Sequence, residues 1–307
     1  MKYTFVVNPN AGKGKGRKLL AALNVELKNR AVPHDVLTTE GTGHATKLAQ
    51  ESTSDIVVAV GGDGTVNEVA NGLIGTDKIL GIIPAGSGND LVKSLGISKK
   101  FKEALAALFG GAAKRIDVAT VTCWKNSADA PSTRSTRYFV NGVGIGFDAA
   151  VAERTNQMKS LSGIAVYVLA VFQTLGKYVA PTFKMCFDES QMESRKLLIA
   201  IGNGICAGGG FYLTPKAKID DGYLDVCALD DFGIPDIVKI MPKVMRGAHE
   251  FSKGVEMFRS KRISVSSVQS FYVHADGEIV GRNVNAVEVA VIPRALGVIA
   301  GTNPRIV

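Results

Sequence analysis

The hydrophobic and polar positions in the first third of the chain alternate between short apolar runs and amphipathic stretches. Apolar, β-branched runs at residues 3–8, 56–60 and 78–84 are typical of buried strands, and residues 34–39 form a further candidate strand. Between these runs, apolar residues recur every three or four positions, which predicts helices. Strands that alternate with helices indicate a parallel sheet covered by helices.

The pattern changes after about residue 116 to short alternating segments joined by turns. Typical examples are FKMCF at 183–187, KLLIAIGN at 196–203 and AVEVAVI at 286–292. This pattern predicts an antiparallel, β-sandwich-like second domain. Two helical stretches interrupt it, one at 149–175 with a break near 160–163, and one at about 234–246.

These two patterns predict an α/β protein with a mainly β second half, and they place the domain boundaries. Residues 1–117 should form the parallel-sheet α/β nucleotide-binding domain, and residues 118–293 the β-rich domain. The apolar segment LGVIA in the tail, 294–307, is expected to return to the first domain. Residues 125–136 are polar and interrupted by proline, which is typical of a surface loop.

The most informative stretch is DIVVAVGGDGTVNEVANGL at residues 55–73. Its apolar run ends at Gly61-Gly62-Asp63-Gly64-Thr65, and a helical pattern follows. Glycines let the backbone approach a ligand closely, and N–H groups at a helix start attract anions. Asp63, Thr65, Asn67 and Glu68 crowd one turn, which favours a phosphate site over a plain strand–helix connection.

Other predicted strands also end in polar turns. Asn8, Thr39 and the turn at 87–90 follow three of these strands. Because ligands of open parallel sheets lie beyond the carboxyl ends of the strands, these turns should share one site with Gly62 to Thr65. The loop NAGKGKG at 10–16 is not a P-loop, because Arg17 follows Gly16 and no Ser or Thr is placed to hold Mg²⁺.

Two further glycine-containing patterns have an ordinary structural interpretation. The segment Gly144-x-Gly146-x-x-Ala149 resembles a dinucleotide fingerprint, but no acidic residue follows about 20 positions on. Its glycines are expected to permit close packing. The Asp-Gly pairs at 221–222 and 276–277 are common hairpin turns when they are considered alone.

Composition narrows the class of partner. The formal net charge of +8 favours a partner that carries phosphate: a nucleotide, a nucleic acid or an anionic lipid surface. The sequence has no basic–aromatic pattern of a nucleic-acid module, so nucleic acid is excluded from the prediction. Four cysteines without CxxC spacing and four histidines without HxxxH spacing predict reduced thiols and no zinc site.

Hydropathy and cysteine usage together predict a cytoplasmic protein. The longest apolar run, 164–172, is much shorter than a membrane span. The start, MKYTFVVNP, lacks the apolar segment of a signal peptide. We therefore expect no transmembrane segment.

Seven motifs together resemble the bacterial soluble diacylglycerol kinases and the wider lipid kinase family. That family includes sphingosine and ceramide kinases, and its catalytic domain is related to NAD kinase and phosphofructokinase. The motifs occur in the family's order over nearly the whole chain. They are NPNAG (8–12), TTEGTGHA (38–45), GGDGTVNEVANGL (61–73), PAGSGNDLVKSLGI (84–97), NGVGIGFDA (141–149), GGGFYLTPKAKIDDGYLDV (208–226) and HADGE (274–278).

The resemblance implies an ATP site in a cleft between the two domains. In such a site, main-chain N–H groups of the glycine turn hold the phosphates, and Asp63, through water, and Asp90 position Mg²⁺. The positions that match nucleotide-contacting residues are Asn8, Pro9, Asn10, Ala11, Gly12, Thr39, Gly61, Gly62, Asp63, Gly64, Thr65, Val66, Asn67, Glu68, Ser87, Asn89 and Asp90.

The resemblance also implies a general base and a structural metal loop in the second domain. Asp276 and Glu278 match the turn that supplies the base, and both remain candidates for the catalytic role alongside Asp63. The turn KIDDGYLD resembles the structural Mg²⁺ loop of the bacterial members. By this match, Lys218 and Tyr223 would contribute main-chain carbonyls and Asp221 its side chain.

The predicted activity is transfer of the γ-phosphoryl group of ATP to a lipid hydroxyl, with diacylglycerol as the first candidate acceptor. Alternatives are another lipid acceptor (a sphingoid base, ceramide or phosphatidylglycerol), NAD as acceptor, or a protein that binds ATP without turnover. The lipid substrate should be met at an anionic membrane surface, by peripheral association with the inner face. A homodimer is expected from the resemblance alone.

Overall fold

The computed structural model describes residues 1–125, 134–157 and 164–301, and the chain divides into two compact units. Unit 1 comprises Met1–Asp117 together with the segment that begins at Arg294. Unit 2 comprises Val118–Pro293. Most of the predicted surface loop at 125–136, and the predicted helix break near 160–163, lie outside the described residues.

Unit 1 is a parallel sheet with helices between its strands. The strand order is β4-β3-β1-β2, and every pairing in it is parallel. The elements are β1 (Tyr3–Val7), α1 (Ala11–Arg30), β2 (His34–Thr38), α2 (His44–Glu51), β3 (Ile56–Gly61), α3 (Asp63–Leu73), β4 (Ile79–Pro84), α4 (Asp90–Ser94) and α5 (Phe101–Gly110).

Burial of β-branched strands against leucine-lined helices stabilises unit 1. Every residue of β1 and β3 is buried, as expected for central strands of a sheet covered on both faces. On α1, Leu19, Leu23 and Leu27 recur every four residues, so they share one face and pack into this core. Each fully buried leucine contributes about 1.5–3 kcal/mol.

Unit 2 is dominated by antiparallel strands. They pair in the order β11-β10-β9-β7-β12-β13, with β8 against β9 and β12, and β5 against β6. The elements are β5 (Ala113–Trp124), β6 (Ser135–Phe139), β7 (Gly142–Gly146), α6 (Phe147–Gln157), α7 (Ile164–Leu175), β8 (Thr182–Cys186), β9 (Gln191–Gly202), β10 (Leu224–Asp230), α8 (Ile234–Val244), β11 (Val255–Ser260), β12 (Arg262–Ala275) and β13 (Glu278–Ile299).

The last strand serves both units. Most of β13 pairs with β12 in unit 2, whereas Gly297 and Val298 near its end pair in parallel with β4 of unit 1. The core of unit 2 is rich in aromatic and β-branched side chains; the rings of Phe183 and Phe271, for example, meet edge to face at 5.2 Å. Among the described residues, no helix is both long and apolar enough to cross a bilayer.

A buried histidine makes unit 2 sensitive to acid. His249 is fully buried, and its Nε2 lies 3.2 Å from the carbonyl oxygen of Leu213. Burial lowers the pKa of His249, although the Leu213 carbonyl and the charge of Glu250 act in the opposite direction. The folded protein therefore keeps this imidazole neutral at a pH where the unfolded chain already protonates it.

We expect the free energy of unfolding to fall as the pH drops below about 6.5, the ordinary histidine pKa, because only the unfolded chain then gains this proton. One such group contributes a slope of at most about 1.4 kcal/mol per pH unit, and the loss ends below the folded-state pKa. Urea unfolding of the wild type and of His249→Gln across this range measures the effect. Carboxylates titrate in both proteins, so equal slopes would refute the role of His249.

Candidate active site

Three loops of unit 1 meet beyond the carboxyl ends of its strands. The loop after β1 contacts the turn after β3, because Asn8 Nδ2 donates a hydrogen bond to Thr65 Oγ1 at 3.1 Å. The Thr65 side chain is buried and occupies the space next to Gly61, where an added Cβ would lie 2.4 Å from it. Thr65 therefore joins two strand ends and leaves no room for a side chain at Gly61.

Asp63 joins the turn after β3 to the turn after β4. Its two carboxylate oxygens accept the main-chain N–H groups of Asn89, at 2.7 Å, and Asp90, at 2.6 Å. These donors stand at the start of α4, where N–H groups have no intrahelical acceptor. The structure thus gives Asp63 a structural contact that its sequence motif did not reveal.

Glycines allow these turns to touch. A Cβ on Gly86 would lie 2.5 Å from the Cα of Gly62, so the turns after β3 and β4 approach backbone to backbone. Residues 12–14 fall within the range of α1, but their φ and ψ are not helical, so they continue the loop after β1. A Cβ on Gly12 would lie 2.0 Å from the carbonyl oxygen of Ala85, and Gly12 has a φ of +56°. Neither position accepts a side chain without moving a neighbouring loop.

Glu68 organises the neighbouring helix α2. Its Oε1 accepts the N–H of Gly43 at 2.9 Å and its Oε2 accepts the N–H of Ala45 at 3.1 Å. The carboxylate therefore caps the start of α2 and ties it to α3. Nearby, Thr39 follows β2, and its N–H donates to the carbonyl oxygen of Val7 at 2.9 Å.

In the turn after β4, side-chain contacts hold the residues at the base, and the residue at the tip is exposed. Asn89 has a φ of +51°, and its side chain bonds both the N–H and the carbonyl oxygen of Gly86. Asp90 forms an ion pair with Lys93 at 2.8 Å, and both side chains are nearly buried. Ser87, at the tip, is exposed, so its hydroxyl is accessible to a ligand.

The remaining residues of unit 1 that were predicted to contact the nucleotide differ in how far they are exposed. Val66 and Asn67 are buried within α3, so a ligand outside the helix meets neither side chain. Asn10 is exposed, and its N–H donates to Asn8 Oδ1 at 3.0 Å. The others lie in the same loops: Pro9 and Ala11 after β1, and Gly64 in the first turn of α3.

In unit 2, the carboxylate of Asp276 is held by three main-chain N–H groups. Oδ2 accepts from Val140 at 2.9 Å, and Oδ1 accepts from Asn141 at 3.0 Å and Gly142 at 2.8 Å. The N–H of Asp276 donates in turn to the carbonyl oxygen of Gly142 at 2.9 Å. Asp276 has a φ of +49° between β12 and β13, so the tight turn and the segment before β7 fix it together.

Glu278 has a different environment. Its Oε2 forms an ion pair with Arg137 of β6 at 3.0 Å, and its side chain is about one third exposed, at 32%. Two side chains hold this contact, whereas Asp276 is held by backbone. The two candidate bases are therefore distinguishable in the structure, which they were not in the sequence.

A buried carboxylate–imidazole pair lies next to this turn and was not predicted as part of the site. His274 Nε2 lies 2.9 Å from Asp148 Oδ2, and both side chains are buried. The N–H of Gly277 donates to His274 Nδ1 at 3.4 Å, which assigns the ring proton to Nε2. Both residues stand in motifs that were recognised, but 126 positions separate them, and only the fold brings them together.

The same pair explains a glycine of the discounted dinucleotide pattern. A Cβ on Gly144 would lie 2.2 Å from Asp148 Oδ2 and 2.3 Å from His274 Nε2. Gly144, in β7, therefore leaves room for the hydrogen-bonded pair of His274 and Asp148.

The turn predicted as a structural metal loop is closed by an arginine. Asp221 Oδ1 accepts the N–H of Tyr223 at 3.1 Å, and Asp221 Oδ2 pairs with Arg259, whose guanidinium lies 4.4 Å from the Tyr223 ring centre. Burial raises the pKa of nearby Asp225 to about 6; Arg259 lowers it, and Asp221 raises it further. Burial is the largest of these effects, and the Arg259 charge outweighs that of Asp221.

Side chains alone do not form a metal centre in the part of the chain that the structure describes. No group of three or more His, Cys, Asp or Glu side chains there is arranged to hold an ion. A cation at this turn would depend on the main-chain carbonyls of Lys218 and Tyr223 together with Asp221. Such a donor set of oxygens is the kind that Mg²⁺ prefers.

Both units of the chain match families of known proteins. Residues 2–121 match the family described as "Diacylglycerol kinase catalytic domain", and residues 141–300 match the "YegS C-terminal NAD kinase beta sandwich-like domain". A diacylglycerol kinase of Staphylococcus saprophyticus is 29% identical over 283 residues, which cover 90% of this chain and 88% of that protein. One of Staphylococcus epidermidis is 28% identical, with 90% and 85% covered.

Solved structures show the same architecture. A Bacillus anthracis protein, provisionally assigned as a diacylglycerol kinase, superposes with a TM-score of 0.78 at 26% identity, covering 100% of this chain and 98% of that one. Yeast NADH kinase, solved with NADH, superposes with a TM-score of 0.54 at 10% identity, covering 97% and 82%. The second likeness shows the fold alone.

These findings define the class as an ATP-using kinase with a mixed α/β catalytic domain and a β-sandwich-like second domain. The chain belongs to the diacylglycerol kinase family of lipid kinases. The predicted family and the predicted kinase activity are thereby confirmed.

Proposed function

We propose that the enzyme transfers the γ-phosphoryl group of ATP to the hydroxyl of diacylglycerol and so produces phosphatidic acid. The observation that carries the proposal is the meeting of three glycine-containing turns in unit 1, through Asn8–Thr65, Asp63–Asn89 and Gly62–Gly86. Phosphoryl transfer depends mainly on positioning and charge neutralisation, which such a set of turns supplies.

ATP would bind along this edge with its phosphates at the turn after β3. The first N–H groups of a helix have no intrahelical acceptor, and α3 is long enough, at 11 residues, to favour an anion at its start. Exposed Ser87 and the loop at 8–12 would contact the nucleotide from the neighbouring strand ends. Glu68 would act indirectly, because its carboxylate caps α2.

Mg²⁺ would reach the carboxylates at this edge through an intervening water. Both oxygens of Asp63 accept main-chain hydrogen bonds, and Asp90 is paired with Lys93, so neither presents a bare carboxylate. When bound, the ion would neutralise charge on the transferring phosphoryl group. Asp63 itself fixes the relative position of the two phosphate-facing turns.

Asp276 would be the general base that takes the proton of the acceptor hydroxyl. A base must first be positioned, and three main-chain donors hold this carboxylate in one orientation. Buried His274 and Asp148 would support the same turn through the Gly277 N–H. The proposal requires this carboxylate to reach the ATP held by unit 1 in the reacting complex.

A second Mg²⁺ would have a structural role at the turn from Lys218 to Tyr223. The Asp221 carboxylate and the main-chain carbonyls of Lys218 and Tyr223 support this role, because they are oxygen donors of the kind that Mg²⁺ prefers. When bound, the ion would stabilise the turn that leads into β10. It would take no part in phosphoryl transfer.

Transfer of labelled phosphate from ATP to a panel of acceptors tests the proposal. The panel contains diacylglycerol, ceramide, a sphingoid base, phosphatidylglycerol and NAD, with products separated by thin-layer chromatography. We expect diacylglycerol to be phosphorylated with the highest kcat/KM. Faster transfer to another lipid would overturn the acceptor assignment, and transfer to NAD, or to none of them, would overturn the proposed function.

A further inference from the structure

Helix α8 of unit 2 has apolar side chains on two neighbouring sides. One side is buried against the core, and the other is exposed. Ile237, Ile240 and Val244 face the core. Ile234 and Val238 are 51% and 53% exposed, respectively, although both are large aliphatic residues. A helix that needed only to cover a core would carry polar residues at those two positions.

The exposed residues form one continuous stripe. Ile234 and Val238 are four residues apart, and Met245, just after the helix, continues the same side after seven more. At 100° per residue these three positions fall within about 40° of one another around the helix axis. The stripe lies directly beside the buried face.

Phe251, six residues after Met245, is a fourth exposed apolar residue near the end of the helix. Lys243, in the last turn, donates to Ser252 Oγ at 3.2 Å, which holds the following turn against α8. Phe251 is 95% exposed, and the Lys216 ammonium lies 5.4 Å from the centre of its ring. A phenylalanine with this exposure lowers the solubility of a protein unless a binding partner covers the ring.

Basic side chains flank this stripe. At 100° per residue, Lys239 and Lys243 lie about 100° and 140° from Val238 around α8, and Arg246 and Lys253 follow the helix, all exposed. Within the described residues, Lys239, Arg246 and Lys253 form no ion pair. The nearby acids are already engaged, since Asp236 accepts the Gly233 N–H and Glu250 pairs with Lys216.

We propose that the stripe of Ile234, Val238 and Met245, together with the nearby Phe251 and the basic side chains, docks the enzyme on an anionic lipid bilayer. Apolar residues would enter the acyl boundary, and the Lys and Arg side chains would contact anionic headgroups. The inference rests on the proposed function, because a diacylglycerol kinase must meet an acceptor that resides in a bilayer. Charge complementarity favours an anionic surface over a second copy of this basic chain.

The inner face of α8 connects the docking surface with the proposed base. Ile237, Ile240 and Val244 line a small apolar cavity of about 60 Å³, and Asp148 forms part of another wall. Asp148 is bonded to His274, next to the Asp276 turn. Docking through α8 therefore places the bilayer against the side of unit 2 that supports the base.

Vesicle co-sedimentation tests the surface, with phosphatidylcholine vesicles compared to vesicles that also contain phosphatidylglycerol. We expect Val238→Ser with Phe251→Ser to weaken binding to both by about tenfold. Lys239→Gln with Arg246→Gln should weaken binding only to anionic vesicles, by about fivefold per residue. The control, Val25→Ser with Val268→Ser, removes two equally exposed apolar residues elsewhere and should bind like the wild type.

Kinase activity on detergent-dispersed, short-chain diacylglycerol separates the two proposals. All these variants should keep it, because no bilayer is required. Variants that bind vesicles like the wild type would overturn the docking surface and leave the kinase proposal standing. A wild type without this activity would overturn the kinase proposal, whatever its vesicle binding. Conversion of a dimer to a monomer by Val238→Ser with Phe251→Ser, with vesicle binding unchanged, would instead assign the stripe to a second copy.

Discussion

Replacing Asp276 by asparagine is expected to lower kcat for lipid phosphorylation by about 10³-fold, within the usual range for loss of a general base. The amide cannot accept the proton of the acceptor hydroxyl. ATP binding should change little, because the predicted nucleotide contacts all belong to unit 1. Steady-state kinetics with diacylglycerol, together with direct titration of ATP, measures both effects.

The matched variant is Glu278→Gln, which also removes one negative charge from the same turn. Its amide oxygen can still accept from Arg137, so we expect kcat to fall less than about tenfold. A larger loss in Glu278→Gln than in Asp276→Asn would reverse the assignment of the base.

Folding must be checked in the asparagine variant, because Asp276 also has a structural contact. One of its oxygens becomes an NH₂ group, which would face either the Val140 N–H or the donors at 141 and 142. Thermal unfolding of both variants shows whether this local repulsion spreads. A retained melting transition with lost turnover assigns the effect to chemistry, whereas equal losses of stability and activity would argue for a structural role only.

The pattern of apolar runs was sufficient to predict much of the fold of unit 1. Strands β1, β3 and β4 are buried and rich in β-branched residues, and a strand-then-helix order leaves few arrangements other than a parallel sheet. Because parallel strands end at one edge, the sequence could also place Asn8, Thr65 and Ser87 near one another. These inferences need only local periodicity and one topological rule.

Contacts between distant side chains could not be obtained in this way. Asp63 was expected to position a metal through water, yet its oxygens cap a helix 26 and 27 residues later. Asp276 is held by a segment about 135 residues earlier. Neither distance leaves a periodic signal, because the partners are main-chain N–H groups that every residue except proline possesses.

The His274–Asp148 pair shows a different limit. An isolated histidine on a strand and an isolated aspartate at a helix start are individually unremarkable in sequence. The one local hint was Gly144, whose missing side chain accommodates both groups, and the sequence assigned that glycine to close packing without naming a partner. The buried hydrogen bond between the two residues becomes visible only when strands β7 and β12 are paired.

The second large effect is expected from Gly12→Ala, because this glycine allows the loop after β1 to contact the turn after β4. An added Cβ would lie 2.0 Å from the carbonyl oxygen of Ala85 at a φ of +56°. One of the two loops must move, which disrupts the proposed triphosphate site. We expect kcat/KM for ATP to fall by about 10²-fold, since misplacement of about 1 Å can have this effect.

Gly14→Ala is the matched control in the same loop. Gly14 has a φ of +88°, so alanine there is also strained, by roughly 1–2 kcal/mol, but nothing lies within 4 Å of its added Cβ. We therefore expect a similar decrease in melting temperature from backbone strain and a change in kcat/KM of less than about threefold. Equal losses of activity in the two variants would attribute the effect to strain and refute the importance of the contact with Ala85.

A third variant covers the case in which Gly12→Ala does not fold. Asn8→Ala removes the hydrogen bond to Thr65 that joins the same loop to the turn after β3, and it introduces no clash. The proposal requires the joined turns for ATP binding, so we expect the KM for ATP to rise. The turns belong to unit 1, so the unfolding of unit 2 should not change. An unchanged KM for ATP would show that the loop after β1 does not help to form the nucleotide site.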